Sequence, residues 1–300
     1  MTAGCAAPTR LEVRARADGR NSSGRVAVEG GVIETPTGNS HSAPTRLEGL
    51  RRRYDGYQSA NEGNRFVKST GYKYAIAVVR VLFAALGVAA IVAQLDRSID
   101  NWHKTGLSVA FGVTNFFSFF TIDANVGTIV VLLLGAIFVF AKKDDPHWYT
   151  VFRAIVVTYM AVTGIVYNLL LRGVELPQGT TVEWSNEVLH VVACAYVVLD
   201  WFIAPGRIPL NWRSLRAIII FPLVWVAYTM IRAPFTVNDT ANGKAFFPYP
   251  FLDPSLAHEG WFSVAFYIVL IAGVVLGAGA GVIWVSRRFR GTAMIGNTAG

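Results

Sequence analysis

The chain has 300 residues, of which 53% are hydrophobic and 15% are charged, and its formal net charge is +8. Soluble proteins have about a quarter of their residues charged, so this composition excludes an ordinary soluble globular domain. The two cysteines, Cys5 and Cys194, exclude a disulfide scaffold. The composition predicts an all-α, polytopic integral membrane protein with a polar tail.

The first predicted region is residues 1–72, which are rich in Arg, Ala, Gly, Ser and Thr. Such a segment buries too little apolar area to offset its ordering entropy. It is therefore predicted to be a disordered, basic, cytoplasmic tail. The cluster Arg51 to Arg53 near its end either attracts anionic lipid headgroups or acts as a topology signal.

From Lys73 onward, apolar runs long enough to cross a hydrocarbon core of about 30 Å recur. They predict a six-helix transmembrane domain over 73–285, followed by a short basic cytoplasmic tail over 286–300. The second run begins weakly near Leu107, so its first turns are expected along the membrane interface. The six helices are predicted near 73–94, 113–140, 151–171, 186–204, 214–231 and 261–285.

Lys and Arg residues are unevenly distributed between the two sets of alternate segments. Among those near helix ends, fifteen lie in residues 51–73, in two of the loops with their flanking helix ends, and at the C-terminal end, against five in the other three segments. Because positive residues favour the cytoplasmic side, this bias predicts a multi-pass protein of the cell membrane with both termini cytoplasmic. Arg153 belongs to the larger set. Arg80, two turns into helix 1, is expected to extend back to the cytoplasmic surface.

Helix 2 carries a stripe of polar residues that share one predicted face. Polar groups are costly in hydrocarbon, so the stripe is expected to face a partner helix or a wet cavity. The alternative is that each hydroxyl bonds to a carbonyl of its own helix, which requires no function. The five residues, spaced by four, three, four and three, are Thr114, Ser118, Thr121, Asn125 and Thr128.

Helix 4 supplies the one histidine in a predicted span, His190. A neutral imidazole can act as a general base near neutral pH, although a buried histidine can also be purely structural. Asn186 and Glu187 precede it by four and three residues, so they either orient the ring or form a solvated first turn.

The depths of Thr121 and His190 match. Thr121 lies 21 residues before Lys142, about 31 Å along a helix, and His190 lies 17 residues before Arg207, about 25 Å. Both side chains are therefore expected in the outer leaflet. A hydroxyl and an imidazole at matched depth are the minimum set for nucleophilic catalysis.

The longest connection of the membrane domain, 232–260, is unusually aromatic for a solvated loop. On the predicted topology it lies outside, over helices 2 and 4, as a lid or as an anchor in the lipid interface. Arg232 at its start is a candidate partner for a substrate carboxylate or for a lipid phosphate.

Several short motifs, taken together in their order, carry a resemblance over about residues 72–285. The chain resembles a bacterial family of six-helix membrane proteins that is distantly similar to the androgen-induced protein family of eukaryotes. Eukaryotic members of that family use an intramembrane Thr and His to hydrolyse fatty acid esters of hydroxy fatty acids. The motifs are Phe120-Thr121-Ile122-Asp123-Ala124-Asn125, His190-Val191-Val192, Leu199-Asp200-Trp201 and Tyr249-Pro250-Phe251-Leu252.

The resemblance implies that Thr121 is the nucleophile and His190 its general base. The chain is then an intramembrane threonine hydrolase acting on an amphipathic lipid ester, with membrane lipids as its surroundings. No metal site, cofactor or nucleic-acid partner is predicted, and the sequence gives no oligomeric state. Substrate contacts are expected from Ser118, Asn125, Glu187, Arg232, Tyr249 and Phe251.

Two alternatives remain open at this point. The polar residues could line a cavity between helices 2 and 4 of a non-catalytic binding or transport protein. They could also hold the helices together in a structural or assembly role.

Overall fold

A computed structural model describes residues 46–173, 181–238, 244–256 and 259–288, with side chains described from residue 70 onward. The chain divides into two units, residues 1–60 and residues 61–300, and only the helical backbone from Arg46 is described in the first. Residues 1–45 of the predicted tail and residues 289–300 lie outside the described ranges.

The described chain is all-helical apart from one two-stranded hairpin. Its helices are α1 (Arg46–Thr105), α2 (Val109–Phe116), α3 (Phe120–Phe140), α4 (His147–Val166), α5 (Glu183–Glu187), α6 (Ala193–Ile203), α7 (Ser214–Arg232) and α8 (Trp261–Arg288). π-helical turns extend α4 (Tyr167–Leu171) and join α5 to α6 (Val188–Val192). Strands β1 (Val237–Asn238) and β2 (Lys244–Ala245) pair antiparallel, and 3-10 turns lie at Ala233–Phe235 and Pro250–Leu252.

Within the described ranges, six helical segments are long and apolar enough to cross a membrane, which confirms the predicted fold class. The chain is therefore a multi-pass membrane protein. In the helical lipid-spanning architecture every backbone donor and acceptor is satisfied within its own segment. The six segments are Thr70–Thr105, Phe120–Phe140, His147–Leu171, Glu183–Ile203, Ser214–Phe235 and Trp261–Arg288.

The first helix begins earlier than the sequence predicted. Its backbone is helical from Arg46, within the segment for which a disordered tail was predicted, and it continues without interruption into the first span. Extending an existing helix avoids the cost of nucleating a new one.

The predicted second helix is broken into α2 and α3. The prediction that its polar residues share one continuous helix face is therefore wrong. Phe119 has an extended conformation (φ −76°, ψ 125°), and α3 begins after it. The carbonyl of Ser118 accepts a hydrogen bond from Trp225 Nε1 on α7, 3.1 Å away, so the chain turns at this point. Thr114 is left on α2 with an exposed hydroxyl, whereas Ser118, Thr121, Asn125 and Thr128 are buried.

Helix α4 lies at the centre of the bundle, packed against α3, α6 and α8. Its residues are buried on several sides, Ala154, Val157 and Met160 among them. Helix α7 contrasts with α4, because only 11% of the apolar stretch of its span is buried within the protein. One wall of the bundle is therefore a thinly packed helix that faces the surrounding lipid.

A buried ionic cluster joins α1, α4 and α6, and it corrects the expectation that Arg80 extends to the surface. Arg80 is 1% exposed and binds both carboxylate oxygens of Asp200, at 2.9 and 3.1 Å. Arg153, also 1% exposed, donates to the same carboxylate at 2.7 Å. Because a charge in the membrane interior requires a partner, Arg80 and Arg153 turn inward to Asp200.

Candidate active site

A cavity of about 320 Å³ lies inside the membrane-spanning bundle. Its walls come from α3, α4, α7, α8 and the π-helical turn that contains His190, and residues before α8 complete it. Thr121, His190, Tyr249 and Phe251 all line this cavity. The structure thus brings together the two predicted catalytic residues and two of the predicted substrate contacts.

Thr121 occupies the second position of α3, where the first backbone N–H groups of a helix have no partner within the helix. Its N–H donates to the Tyr249 hydroxyl at 3.3 Å, and its own hydroxyl lies 3.3 Å from the same oxygen. Its side chain is therefore paired with another side chain. The break before α3 produces this arrangement, because in a continuous helix the N–H would bond to a preceding carbonyl.

The neighbouring hydroxyls of the polar stripe have a different kind of partner. Ser118 Oγ donates to the carbonyl of Thr114 at 2.7 Å, and Thr128 Oγ1 donates to the carbonyl of Ala124 at 2.9 Å. These bonds to preceding carbonyls are the arrangement that requires no function. Ser118 Oγ also accepts from Arg232 at 3.3 Å and lies 3.4 Å from the Tyr228 hydroxyl. Thr121 differs from Ser118 and Thr128 in that its hydroxyl is paired with a side chain and, among the described residues, with no carbonyl of its own helix.

His190 is held by two direct contacts, a hydrogen bond at Nδ1 and a stacked ring. Nδ1 lies 2.9 Å from the backbone carbonyl of Asn186, and Tyr167 stacks on the imidazole with ring centroids 4.3 Å apart. The side chain of Asn186 donates to the Tyr167 hydroxyl at 2.6 Å, so the stacking ring is itself held. A carbonyl can only accept, so Nδ1 carries the hydrogen and Nε2 is the basic nitrogen of the neutral ring.

The His190 turn is π-helical, as is the turn that contains Tyr167. π-helical turns are rare and occur frequently at functional sites, since they re-aim side chains relative to an α-helix. The two stacked rings come from these two turns. No periodicity in the sequence indicates a π-helical turn, and sequence reasoning therefore missed Tyr167.

Asn125 connects the backbones that carry the two candidate catalytic residues. Its Nδ2 donates to the carbonyl of Thr121 at 2.9 Å and to the carbonyl of Leu189 at 3.1 Å. Both amide hydrogens are thus engaged with protein carbonyls. The geometry gives Asn125 a positioning role between α3 and the His190 turn, in place of the substrate contact expected from the sequence.

Thr121 and His190 face the same cavity without touching. Within the described ranges no hydrogen bond joins their side chains, since Thr121 is bonded to Tyr249 and His190 to Asn186. A catalytic pair in this site therefore requires that the Thr121 hydroxyl and the His190 ring come within hydrogen-bond reach of one another.

Tyr249 brings a phenol from the connection between α7 and α8 to the start of α3. It is 7% exposed, stacked on Phe251 (5.2 Å, 3° between planes) and in edge contact with Phe119. Burial raises the pKa of its hydroxyl, although the hydrogen bonds with Thr121 oppose the shift. Tyr249 is therefore protonated at neutral pH and can donate a hydrogen bond inside the cavity.

Four predicted substrate contacts lie outside the cavity lining: Asn125, described above, and three more. Glu187 forms a 2.7 Å ion pair with Arg172, and both side chains are about half exposed. Arg232 donates to Asn115 Oδ1 at 2.6 Å and to Ser118 Oγ at 3.3 Å. The structure thus does not bring Glu187, Arg232 or Ser118 to the cavity beside Thr121 and His190.

Within the described ranges, no group of three or more His, Cys, Asp and Glu side chains is placed to hold a metal ion. The groups that the site offers for chemistry are the hydroxyl of Thr121, the imidazole of His190 and the phenol of Tyr249. Comparison with known protein families, with curated proteins and with solved structures finds no match to this chain.

Proposed function

We propose that the protein is an intramembrane threonine hydrolase that acts on an amphipathic lipid ester, with Thr121 as nucleophile and His190 as general base. One observation supports this function above the others. Thr121, His190 and Tyr249 line one cavity within the membrane-spanning bundle, and Thr121 is bonded to a side chain instead of a carbonyl of its own helix. The resemblance of the sequence motifs to the androgen-induced protein family points to the same pair.

In the first half-reaction His190 Nε2 takes the proton of the Thr121 hydroxyl while Oγ1 attacks the ester carbonyl carbon. The tetrahedral intermediate collapses, the bond from carbon to the alcohol oxygen breaks, and His190 returns its proton to the departing alcohol. The products at this stage are the free alcohol and an acyl group esterified to Thr121.

In the second half-reaction water attacks the acyl carbon, and His190 Nε2 accepts a proton from that water. The bond between carbon and Thr121 Oγ1 breaks, the proton passes from His190 to Oγ1, and the fatty acid is released. The Nδ1 hydrogen bond to the Asn186 carbonyl keeps the ring in the required tautomer in both steps.

Two donors stabilise the negative charge that develops on the carbonyl oxygen. They are the backbone N–H of Thr121 and the hydroxyl of Tyr249, which share a hydrogen bond when no substrate is bound. The N-terminal position of Thr121 in α3 adds the favourable end of the helix dipole. Such preorganised donors are the largest contribution in many acyl-transfer sites.

A non-catalytic binding protein is the second candidate. The observation that favours it is that Thr121 and His190 are each bonded to other partners. Transport is less well supported, because buried ion pairs of Arg80 and Arg153 with Asp200 tie α1, α4 and α6 together away from the cavity.

The test compares hydrolysis of p-nitrophenyl octanoate by the purified full chain and by three variants. Thr121→Ala and His190→Ala should each lower kcat by about a thousandfold or more, as expected for losing a nucleophile or its base. Thr128→Ala is the matched control, because it removes a hydroxyl of the same helix that bonds only to its own backbone. Full turnover by Thr121→Ala would overturn the mechanism. If the native protein binds the ester and does not hydrolyse it, the binding candidate is favoured.

A further inference from the structure

The chemistry of the cavity lining restricts what can enter. Among the described residues that line it there is no Asp, Glu, Lys or Arg, and most of the wall is Val, Leu, Ile and aromatic side chains. A charged group inside would lack a counter-charge, which is strongly unfavourable in a membrane interior. The cavity therefore suits a neutral ligand.

The cavity has a polar end and an apolar arm. The polar end is formed by Thr121, His190 and Tyr249, whereas the arm runs between α7 and α8. Its wall extends from Ile219 to Val226 on α7 and from Ile268 to Leu276 on α8, which at 1.5 Å per residue is about 10–12 Å.

The volume fits one short chain. A methylene group has about the volume of a water molecule in the liquid, roughly 30 Å³. A cavity of about 320 Å³ therefore has room for on the order of ten carbons.

The arm is open to the surrounding lipid. Leu223 of α7 and Leu276 of α8 line the cavity and are also 57% and 43% exposed. A residue that borders both the cavity and the outer surface marks an opening between them. Since α7 is thinly packed, an apolar molecule can pass from the bilayer into the arm between α7 and α8 without crossing water.

We infer that the substrate is a neutral ester with a single acyl chain of about ten carbons, which enters from the bilayer between α7 and α8. This substrate class rests on the proposed hydrolase function. The chain occupies the apolar arm, and the ester carbonyl lies at Thr121. A charged headgroup next to the ester is disfavoured, because the described lining offers no counter-charge.

The first experiment measures kcat/KM of the full chain for p-nitrophenyl esters from butanoate to palmitate, and for 1-decanoylglycerol against 1-decanoyl-lysophosphatidylcholine. Activity should be greatest near decanoate, and the neutral glycerol ester should be preferred by about tenfold or more. Equal rates for all chain lengths, or equal rates for the charged lipid, would overturn the proposed substrate class.

Substitutions in the arm should move the chain-length preference. Ala272→Phe places a ring in the arm and should lower the ratio of decanoate to butanoate activity by about tenfold or more. Leu276→Ala widens the arm where it opens to the lipid and should favour longer esters, so it remains informative if Ala272→Phe fails to fold. Ala265→Phe is the matched control, since Ala265 is an exposed residue of α8 outside the cavity and its variant should keep the native ratio.

A binding measurement separates this inference from the proposed function. Methyl esters from butanoate to palmitate are titrated into Thr121→Ala, and the increase in melting temperature reports binding without turnover. The increase should be greatest near methyl decanoate and should be lost in the double variant with Ala272→Phe. Chain-selective binding with no hydrolysis by the native protein would contradict only the hydrolase, whereas Thr121-dependent hydrolysis with no chain selectivity would contradict only the substrate class.

Discussion

At the scale of single residues, the functional contrast in this protein lies in where each hydroxyl directs its hydrogen. A hydroxyl that donates to a carbonyl four residues earlier is bonded to a group that accepts a hydrogen bond but cannot donate one. Thr121 is instead paired with the Tyr249 hydroxyl, which both donates and accepts. The pair can therefore reorganise when a carbonyl oxygen enters, with Tyr249 turning from the Thr121 N–H to the substrate.

Removing the Tyr249 hydroxyl tests this role directly. Tyr249→Phe keeps the stacking on Phe251 and loses one donor to the developing oxyanion, so kcat should fall about 10²–10³-fold while KM changes little. Tyr228→Phe is the control, because the Tyr228 hydroxyl lies 3.4 Å from Ser118 Oγ and outside the cavity lining. Full activity in Tyr249→Phe, with none in Thr121→Ala, would reduce Tyr249 to a packing residue.

At the scale of helices, the sequence predicts how many spans there are better than it predicts where a helix breaks. Six spans follow from the length of apolar runs, because no other structure lets such runs cross lipid. The break at Phe119 was missed, since the run Phe116-Phe117-Ser118-Phe119-Phe120 is apolar whether or not the helix continues. It depends on Trp225, more than a hundred residues away, which binds the Ser118 carbonyl.

Contacts between residues distant in the chain also limit what the sequence predicts about the candidate site and the ionic cluster. Matched depth predicted that Thr121 and His190 lie near one another, and both line the cavity, although their catalytic roles stay a prediction. Tyr167 and the pairing of Arg80 with Asp200 involve residues far apart in the chain. Partners of that kind are set by packing between helices, which leaves no local pattern in the sequence.

The cluster of Arg80, Arg153 and Asp200 predicts a large loss of stability when its carboxylate is neutralised. Asp200→Asn leaves two buried guanidinium groups without a counter-charge, and breaking a buried pair costs about 3–5 kcal/mol. The free energy of unfolding is measured by circular dichroism during titration with SDS.

Glu187→Gln provides the control for that measurement. It breaks the exposed Arg172–Glu187 pair, and surface pairs contribute about 0–1 kcal/mol. Unfolding of Asp200→Asn at the same SDS concentration as Glu187→Gln would contradict the view that the cluster ties α1, α4 and α6 together.

At the scale of the whole molecule, six crossings place the start of the first span and the end of the last on the same side of the membrane. The connection 236–260, which carries Tyr249, is then on the opposite side. The charge bias of the sequence predicts that the two ends are cytoplasmic. Arg153 contributed to that bias but is buried beside Asp200, so the orientation depends on the remaining positive residues.

Labelling of single cysteines tests this orientation. In a Cys5→Ser background the remaining native thiol, Cys194, is buried, so an introduced cysteine is the accessible site for a membrane-impermeant maleimide among the described side chains. Ser255→Cys, at an exposed position of the 236–260 connection, should be labelled in intact cells. Lys143→Cys, exposed between α3 and α4, should be labelled only after permeabilisation. The reverse pattern would place the Tyr249 connection inside, and the charge bias would then reflect the lipid affinity of the tail instead of the topology.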